Sequence, residues 1–497
     1  MRSFSLLGLG SYISFALAGQ FPEYDGIVGG VPKGSAVKSA ALVATEPDAA
    51  TIPTPVAPGQ LRYKENTGVC GINHPGVYQA SGYADLTSRE SMWFWFFEAR
   101  NNPDTAPFSI WLNGGPGSSS MIGLFQEVGP CRINKDETTV SRNPYSWNEY
   151  SNMLFIDQPI GAGYSHGDML VATSNDAAVA VWKMLQMFFA DSKFSKYATR
   201  DFAIWTESYG GHYGPVFASY FLDQNAAIDA GKVNGVKINL KVLSIGNGLT
   251  DPYSQYPDYV RYAISNPYQP LANESTIRAA NISLYKEGGC MDRIKACNLG
   301  VTDINPVCSD AQAYCNENVL APFAEVYNVY DVRVKNSDPN PYPPDLHKLL
   351  TNSSFIKEIG AESNWTMTNT VVYTNFATTG DWMRNVRPAL EKVINAGVRT
   401  LILSGDADYI CNYMGFESMV DALQTRFASE FQQQGWSNWT VANTAAGQYK
   451  NAGTFSYLRV YQAGHEVPAY GNGKLEVGQA ALVYFTQFMQ GKPISSA

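Results

Sequence analysis

Apolar residues along this 497-residue chain fall into short runs separated by longer amphipathic stretches. The runs are Trp93–Glu98, Ser109–Leu112, Met153–Ile156, Phe202–Trp205, Val242–Ile245 and Thr400–Leu403. They are short, nearly continuous and apolar, as parallel strands buried on both faces should be. Between them, Asp176–Ala190 carries Ala, Val, Trp, Leu, Met and Phe at helical spacing, and Arg387–Ala396 repeats the pattern. Strands alternating with helices predict an α/β fold, a central mixed, mainly parallel sheet flanked by helices. The alternation breaks between about Asp251 and Thr379, a stretch that holds a four-cysteine cluster and the Pro-rich Asp338–Asp345. It reads as an insertion capping one edge of the sheet.

The ends of the chain refine this picture. Arg2 precedes an apolar stretch from Ser5 to Ala18 that closes on Ala16-Leu17-Ala18, the mark of a secretory signal peptide cleaved before Gly19. The stretch is too short to span a membrane, and no later segment offers about 20 continuous apolar residues. Residues 19–60 are rich in Gly, Pro, Ala and Thr and read as an extended or processed leader. The expected organisation is signal peptide 1–18, leader 19–60, first core part 61–252, cap 253–378 and second core part 379–497. Five N-x-S/T sequons, at Asn273, Asn281, Asn352, Asn364 and Asn438, agree with export to the medium or, second, to an acidic vacuole.

Charge and cysteines exclude some partners. A formal net charge of −9 with no dense basic run argues against nucleic acid. Seven cysteines in an exported chain predict disulfides with one thiol left over. The symmetric spacing of Cys290, Cys297, Cys308 and Cys315 suggests nested pairs, Cys290–Cys315 around Cys297–Cys308. Cys70 and Cys131 then pair, leaving Cys411 free. Zinc favours a short C-x-x-C spacing that this cluster lacks, so no metal and no cofactor is expected.

Chemistry concentrates in a few segments. Ile204–Tyr213 runs from a predicted strand through Thr206-Glu207-Ser208-Tyr209-Gly210 into a helix, the context of a nucleophile elbow. Thr206 stands where Gly-x-Ser-x-Gly has its first glycine. Upstream, Trp111–Ser120 follows a strand with consecutive glycines, which let backbone N–H groups approach a ligand oxygen. An acyl-transfer site needs two such donors, and the N–H groups of Gly115 and Tyr209 fit. A phosphate loop would need a lysine and G-K-[ST], both absent. On this fold the order is nucleophile, acid, histidine. His74 and His166 precede Ser208, His212 lies in the following helix and His347 in the cap, which leaves His465 as base. The acid lies in Leu403–Asn412, where position alone does not separate Asp406 from Asp408.

Assembled, the segments resemble the serine carboxypeptidase family. The resemblance rests on Trp111–Gly117, Gly123–Pro130, Asp157–Ser165, Glu207–Gly211, Gly405–Asp408 and Gly464–Pro468, in the family's order. It implies removal of C-terminal residues from peptides and proteins at acidic pH through an acyl-enzyme, by a triad of Ser208, Asp408 and His465. It implies that Asn113, Gly114, Glu127 and Glu207 bind the substrate's terminal carboxylate. No Lys or Arg directly adjoins either glutamate in sequence. By the same resemblance Tyr209, Trp382 and Ile410 line the pocket for the residue whose carbonyl is attacked, and Cys411 matches a free cysteine of some relatives. Glu466 stands where many members have methionine in the leaving-residue pocket, which favours a basic leaving residue. Ser118 replaces a half-cystine of some members. An esterase or acyltransferase shares triad and oxyanion donors but has no need of the carboxylate clamp. A catalytically silent secreted scaffold would not need the triad.

Overall fold

The computed structural model describes residues 27–28, 31–32, 56–70, 77–300, 304–338 and 342–497. The expected signal peptide, most of the leader, and His74 lie outside the described residues.

Twelve strands, counted over the described residues, form one sheet. They are β1 (Leu61–Glu65), β2 (Gln79–Asp85), β3 (Glu90–Phe97), β4 (Phe108–Leu112), β5 (Asn152–Ile156), β6 (His166–Gly167), β7 (Phe202–Glu207), β8 (Leu240–Gly246), β9 (Arg399–Gly405), β10 (Ser437–Val441), β11 (Thr444–Ala452) and β12 (Phe455–Val460). Their order is β10-β11-β12-β9-β8-β7-β4-β5-β3-β2-β1, with β6 beside β3. The six strands from β12 to β5 are parallel to their neighbours, while both flanks are antiparallel. This is the expected α/β architecture with a mixed, mainly parallel sheet, and its strand order is that of an α/β-hydrolase fold.

Alternation along each strand feeds two cores at once, because successive side chains point to opposite faces. In β3, Met92, Phe94 and Phe96 enter one core and Trp93, Trp95 and Phe97 the other. Helices α1 (Ser174–Ala190) and α2 (Gly210–Asp229) supply Val181, Leu185, Phe217 and Phe221 to the first. Helix α8 (Gln479–Met489) supplies Tyr484, Phe485 and Phe488 to the second. This is why the strand segments read as continuous apolar runs.

Between β8 and β9 the chain leaves the sheet. The excursion includes α3 (Cys290–Cys297), α4 (Asn305–Cys315), α5 (Thr370–Thr379) and α6 (Arg387–Asn395). Disulfides join Cys290 to Cys315 and Cys297 to Cys308, tying α3 to α4, and a third joins Cys70 to Cys131. Cys411 is a buried free thiol. Helix α7 (Tyr413–Asp421) follows β9.

Candidate active site

The parallel strands end on one edge, and the loops leaving them carry the polar residues of the site, as open α/β sheets dictate. Asn113 follows β4, Asp157 follows β5, Ser208 follows β7, Asn247 follows β8, Asp406 and Asp408 follow β9, and His465 follows β12.

Ser208 is half-buried with φ of 65°, in the left-handed region, between β7 and α2. A non-glycine residue held there costs roughly 1–3 kcal/mol, so its surroundings must enforce the turn. Ser208 N–H donates to Gly246 O at 3.0 Å, and its carbonyl accepts from Gly211 N at 2.9 Å and Leu249 N at 3.2 Å. A Cβ added to Gly114 would stand 2.3 Å from Tyr209 N, so only glycine lets the loop after β4 lie against the elbow. That approach sets the expected donors, Gly115 and Tyr209, on adjoining segments. Thr206 is accommodated by glycines elsewhere. Its hydroxyl lies 3.0 Å from both Gly210 O and Ser244 O, and a Cβ on Gly210 would meet Thr206 Cβ at 2.5 Å.

The structure separates the two aspartates. Asp408 Oδ2 lies 2.9 Å from His465 Nδ1 and accepts from Asn247 Nδ2 at 2.7 Å and Cys411 N at 3.2 Å, while Oδ1 accepts from Ile410 N at 3.1 Å. Asp406 instead accepts from Tyr268 Oη at 2.6 Å and Gln462 N at 2.8 Å, fixing the loop that leads to His465. His465 is buried, and its Nε2 has no hydrogen-bond partner among the described residues. From the excursion, Tyr330 O accepts from His465 N at 2.8 Å and the Tyr330 ring stands edge-on, 5.0 Å from the imidazole. His212, by contrast, is spent on backbone, its ring nitrogens 2.6 Å from Leu249 O and 3.0 Å from Arg384 O.

On the other side, Asn113 Oδ1 accepts from Trp111 Nε1 at 2.7 Å and Gly123 N at 3.0 Å. These donors orient the amide so that Nδ2 faces Glu207 Oε1 at 3.2 Å and Glu127 Oε1 at 3.5 Å. Glu127 rides on a π-helical turn, Gly123–Glu127, a distortion common at functional sites. Both glutamates are buried. Burial pushes the Glu127 carboxyl up to about 7 against hydrogen bonds from Glu207 and Asn113. Burial, then the charges of Glu127, Glu466 and Asp408, push Glu207 well above the ordinary carboxylate range. Both shifts favour the protonated forms of the two acids. Arg132, five residues beyond Glu127, donates from Nη2 to Glu127 O at 3.1 Å, reaching the main chain and not the carboxyl. Asp157, lifted to about 7 by burial, accepts from Ser119 Oγ at 2.7 Å, Ser120 N at 2.8 Å and Tyr164 N at 2.9 Å, and so anchors the glycine loop.

The remaining expected residues gather around these. Tyr209 stacks on Trp382 with ring centroids 5.5 Å apart and donates to Asp381 Oδ2 at 2.7 Å. Ile410 and Cys411 flank Asp408, and burial raises the Cys411 thiol, with the charges of Asp408 and Glu207 adding to it. Glu466 is buried next to His465. Ser118 bonds Thr368 of the excursion, hydroxyl to hydroxyl, at 2.8 Å. Sequence reasoning missed Asn247, Tyr330 and Trp111. For Asn247 a signal existed: a Gly-Asn-Gly directly after a predicted buried strand on the nucleophile's side of the sheet.

A sequence-family model described as serine carboxypeptidase matches residues 71–490. Carboxypeptidase S1 of Penicillium janthinellum is 42% identical over 437 residues, 87% of this chain and 100% of its own length. Carboxypeptidase Y of Schizosaccharomyces pombe is 40% identical over 404 residues, 79% of this chain and 40% of its own. Among solved structures, KEX1(delta)p, a prohormone-processing carboxypeptidase from Saccharomyces cerevisiae, superposes with a TM-score of 0.62 at 23% identity. It covers 84% of this chain and 92% of its own, a likeness of fold.

Proposed function

The chain belongs to the serine carboxypeptidase family and is a serine-type carboxypeptidase, and from that premise we propose how its residues divide the reaction. Ser208 Oγ attacks the scissile carbonyl carbon while His465 Nε2 takes its proton. Asp408 holds Nδ1–H and stabilises the imidazolium. The oxyanion forms against the N–H groups of Gly115 and Tyr209, a contribution of about 3–4 kcal/mol per donor. His465 then protonates the leaving amine, and water attacking the acyl-enzyme regenerates Ser208. The observation that carries this reading is the imidazole itself: Nδ1 is committed to Asp408, and Nε2 is left open.

The substrate's terminal carboxylate is gripped by Asn113 Nδ2, the Gly114 backbone and the protonated Glu127–Glu207 pair. Ionised acids 4 Å away would repel it by roughly 4 kcal/mol each at an effective dielectric of 20. Peptide binding therefore favours acidic pH and weakens as pH rises through about 7, where Glu127 loses its proton. The test is release of the C-terminal residue from a blocked dipeptide at pH 4–6, compared with the same dipeptide as its amide. Preferential cleavage of the free acid supports the clamp; a KM for the acid that stays flat from pH 5 to 8 removes it. Equal turnover of acid and amide would favour an esterase or acyltransferase.

Glu466 gives the leaving-residue pocket an acidic wall and a preference for C-terminal Lys or Arg. Glu466→Met lowers that preference by about tenfold, the loss of one charge-assisted contact, and an unchanged ranking of leaving residues refutes it. The excursion caps the site, with residues 253–378 as its extent. Three disulfides suit an oxidising compartment, and the five sequon asparagines are all exposed. We assign export to the medium ahead of an acidic vacuole, with glycans on those asparagines.

A further inference from the structure

A cation that meets no acid stands behind the carboxylate clamp. Arg132 is partly buried between the π-helical turn that carries Glu127 and the start of α8. Its Nη2 donates to Glu127 O at 3.1 Å and its Nη1 to Val477 O at 3.0 Å, while Nε has no partner among the described residues. Both contacts are with main-chain carbonyls. Arg100, Arg333, Arg387 and Arg459, also partly buried, each pair with a carboxylate instead.

The surroundings hold the guanidinium in place and leave its charge unmatched. Gly478, with φ of 77°, heads α8, and a Cβ there would collide with Arg132 Nη2. The first turn of α8 contains no acid, so the helix N-terminus adds potential of the same sign. Burial lowers the guanidinium only to about 10, so it stays charged in acidic and neutral solution. The carboxyl whose charge acts on it is that of Glu127, which is neutral when it carries its proton. An unmatched charge drawn out of water costs free energy, and an incoming anion offsets that cost. A peptide's terminal carboxylate, held by uncharged donors, arrives with the opposite need.

We propose that Arg132 is the counter-charge of the site. It acts through the main chain of Glu127 on the terminal carboxylate of the bound peptide, and so sets the preference for a free acid over an amide. The inference rests on the catalytic reading above, because it takes Glu127 and Glu207 to hold that carboxylate.

The test uses a blocked amino-acid ester, which has no terminal carboxylate, as reporter substrate for the full-length enzyme. A blocked dipeptide and its C-terminal amide then compete with the ester at pH 5. Their inhibition constants are read whether or not either competitor is cleaved, and wild-type enzyme should prefer the acid. Arg132→Gln should weaken the acid about tenfold and the amide less than about twofold, the scale of one charge acting through a partly buried medium. Arg132→Lys keeps the charge but loses the planar fork, and should keep the acid's advantage within about threefold of wild type. Were the fork needed only to hold the Glu127 turn, Lys would fail as Gln does. An acid-to-amide ratio unmoved by Arg132→Gln overturns the proposal. So does a ratio that falls about tenfold in Arg132→Lys, and that variant carries the test alone if the other does not fold. Wild-type enzyme that binds acid and amide equally overturns the clamp itself, and this inference with it.

Discussion

Two buried acidic sites flank Ser208, and they are built in opposite ways. Asp408 is surrounded by donors: an asparagine amide, two backbone N–H groups and an imidazole all point at its two oxygens. Glu127 and Glu207 are equally buried but share one asparagine amide, and Glu127 Oε2 has no partner among the described residues. Burial alone penalises charge at both places, so the donor count decides what each can do. The donor-rich side suits a carboxylate that orients a base. The donor-poor side favours protonated acids, which in the proposed mechanism grip an incoming carboxylate. On that reading one sheet edge supplies the acid that orients the base and the acids that hold the substrate's end, on either side of one hydroxyl.

The largest test breaks the donor-rich side. Asp408→Asn keeps the shape but places an amide against His465 Nδ1, which favours the wrong tautomer. The expected loss is roughly 10⁴-fold in kcat with little change in KM. Steady-state kinetics on a blocked dipeptide check it, and a loss within tenfold would mean that the acid does not orient the base. Asn247→Ala removes one donor of the same set, and about tenfold is expected, since one charge-assisted hydrogen bond goes while three contacts remain.

The next test turns the donor-poor side into one that cannot titrate. In Glu127→Gln/Glu207→Gln the amides can still donate, but no proton is lost at any pH. Wild-type KM for peptide acids should rise by up to about tenfold per pH unit above 7, whereas the double variant's should be flat. Stability follows the same protons. A carboxyl raised in the folded state is fully protonated in both states below about 4.5, and the unfolded chain releases its proton first as pH rises. Stability therefore falls between pH 4.5 and about 7, by up to about 1.4 kcal/mol per unit for Glu127, and levels off above. Asp157 adds a decline of the same sign over a similar range. Denaturant melts at pH 5 and 8 should show the acidic value higher, with the gap narrowed in the double variant.

The contrast also explains what could be read from the sequence. Strand runs were legible because both faces of the sheet are buried, which erases polar alternation in β4, β5, β7, β8 and β9. The elbow and glycine loop were legible because their chemistry lies in contiguous residues. Position along the chain does not separate Asp406 from Asp408, and only the family resemblance pointed to Asp408, since the choice is made by which carboxylate meets the Ile410 and Cys411 amides and the loop carrying His465. Tyr330 reaches the site from the backbone of the excursion and carries no motif, whereas Asn247 reaches it from a neighbouring strand end with only the Gly-Asn-Gly after β8 to mark it. Arg132 lies only five residues from Glu127, but its target is a carbonyl, which no side-chain pattern announces. The excursion between β8 and β9 registered in the sequence only as a break in alternation.

The smallest expected effect concerns Thr206, the one departure inside the elbow. Its hydroxyl sits between Gly210 O and Ser244 O, so it links the start of α2 to β8 beneath Ser208 without touching either acidic site. Thr206→Val removes the hydroxyl and keeps the branched shape, and should cost about 1 kcal/mol. Thr206→Gly, the residue frequent in the family, also loses packing and adds chain entropy to the unfolded state, for roughly 1 kcal/mol more. The order of melting temperatures should be wild type, then Val, then Gly, with kcat within about twofold throughout, because the turn at Ser208 is also held by Gly246, Gly211 and Leu249. A large fall in kcat for Thr206→Val with melting unchanged would show that the threonine acts on the nucleophile itself. The elbow would then be a third region whose hydrogen bonds tune chemistry, and the division between a donor-rich and a donor-poor flank would no longer account for the site.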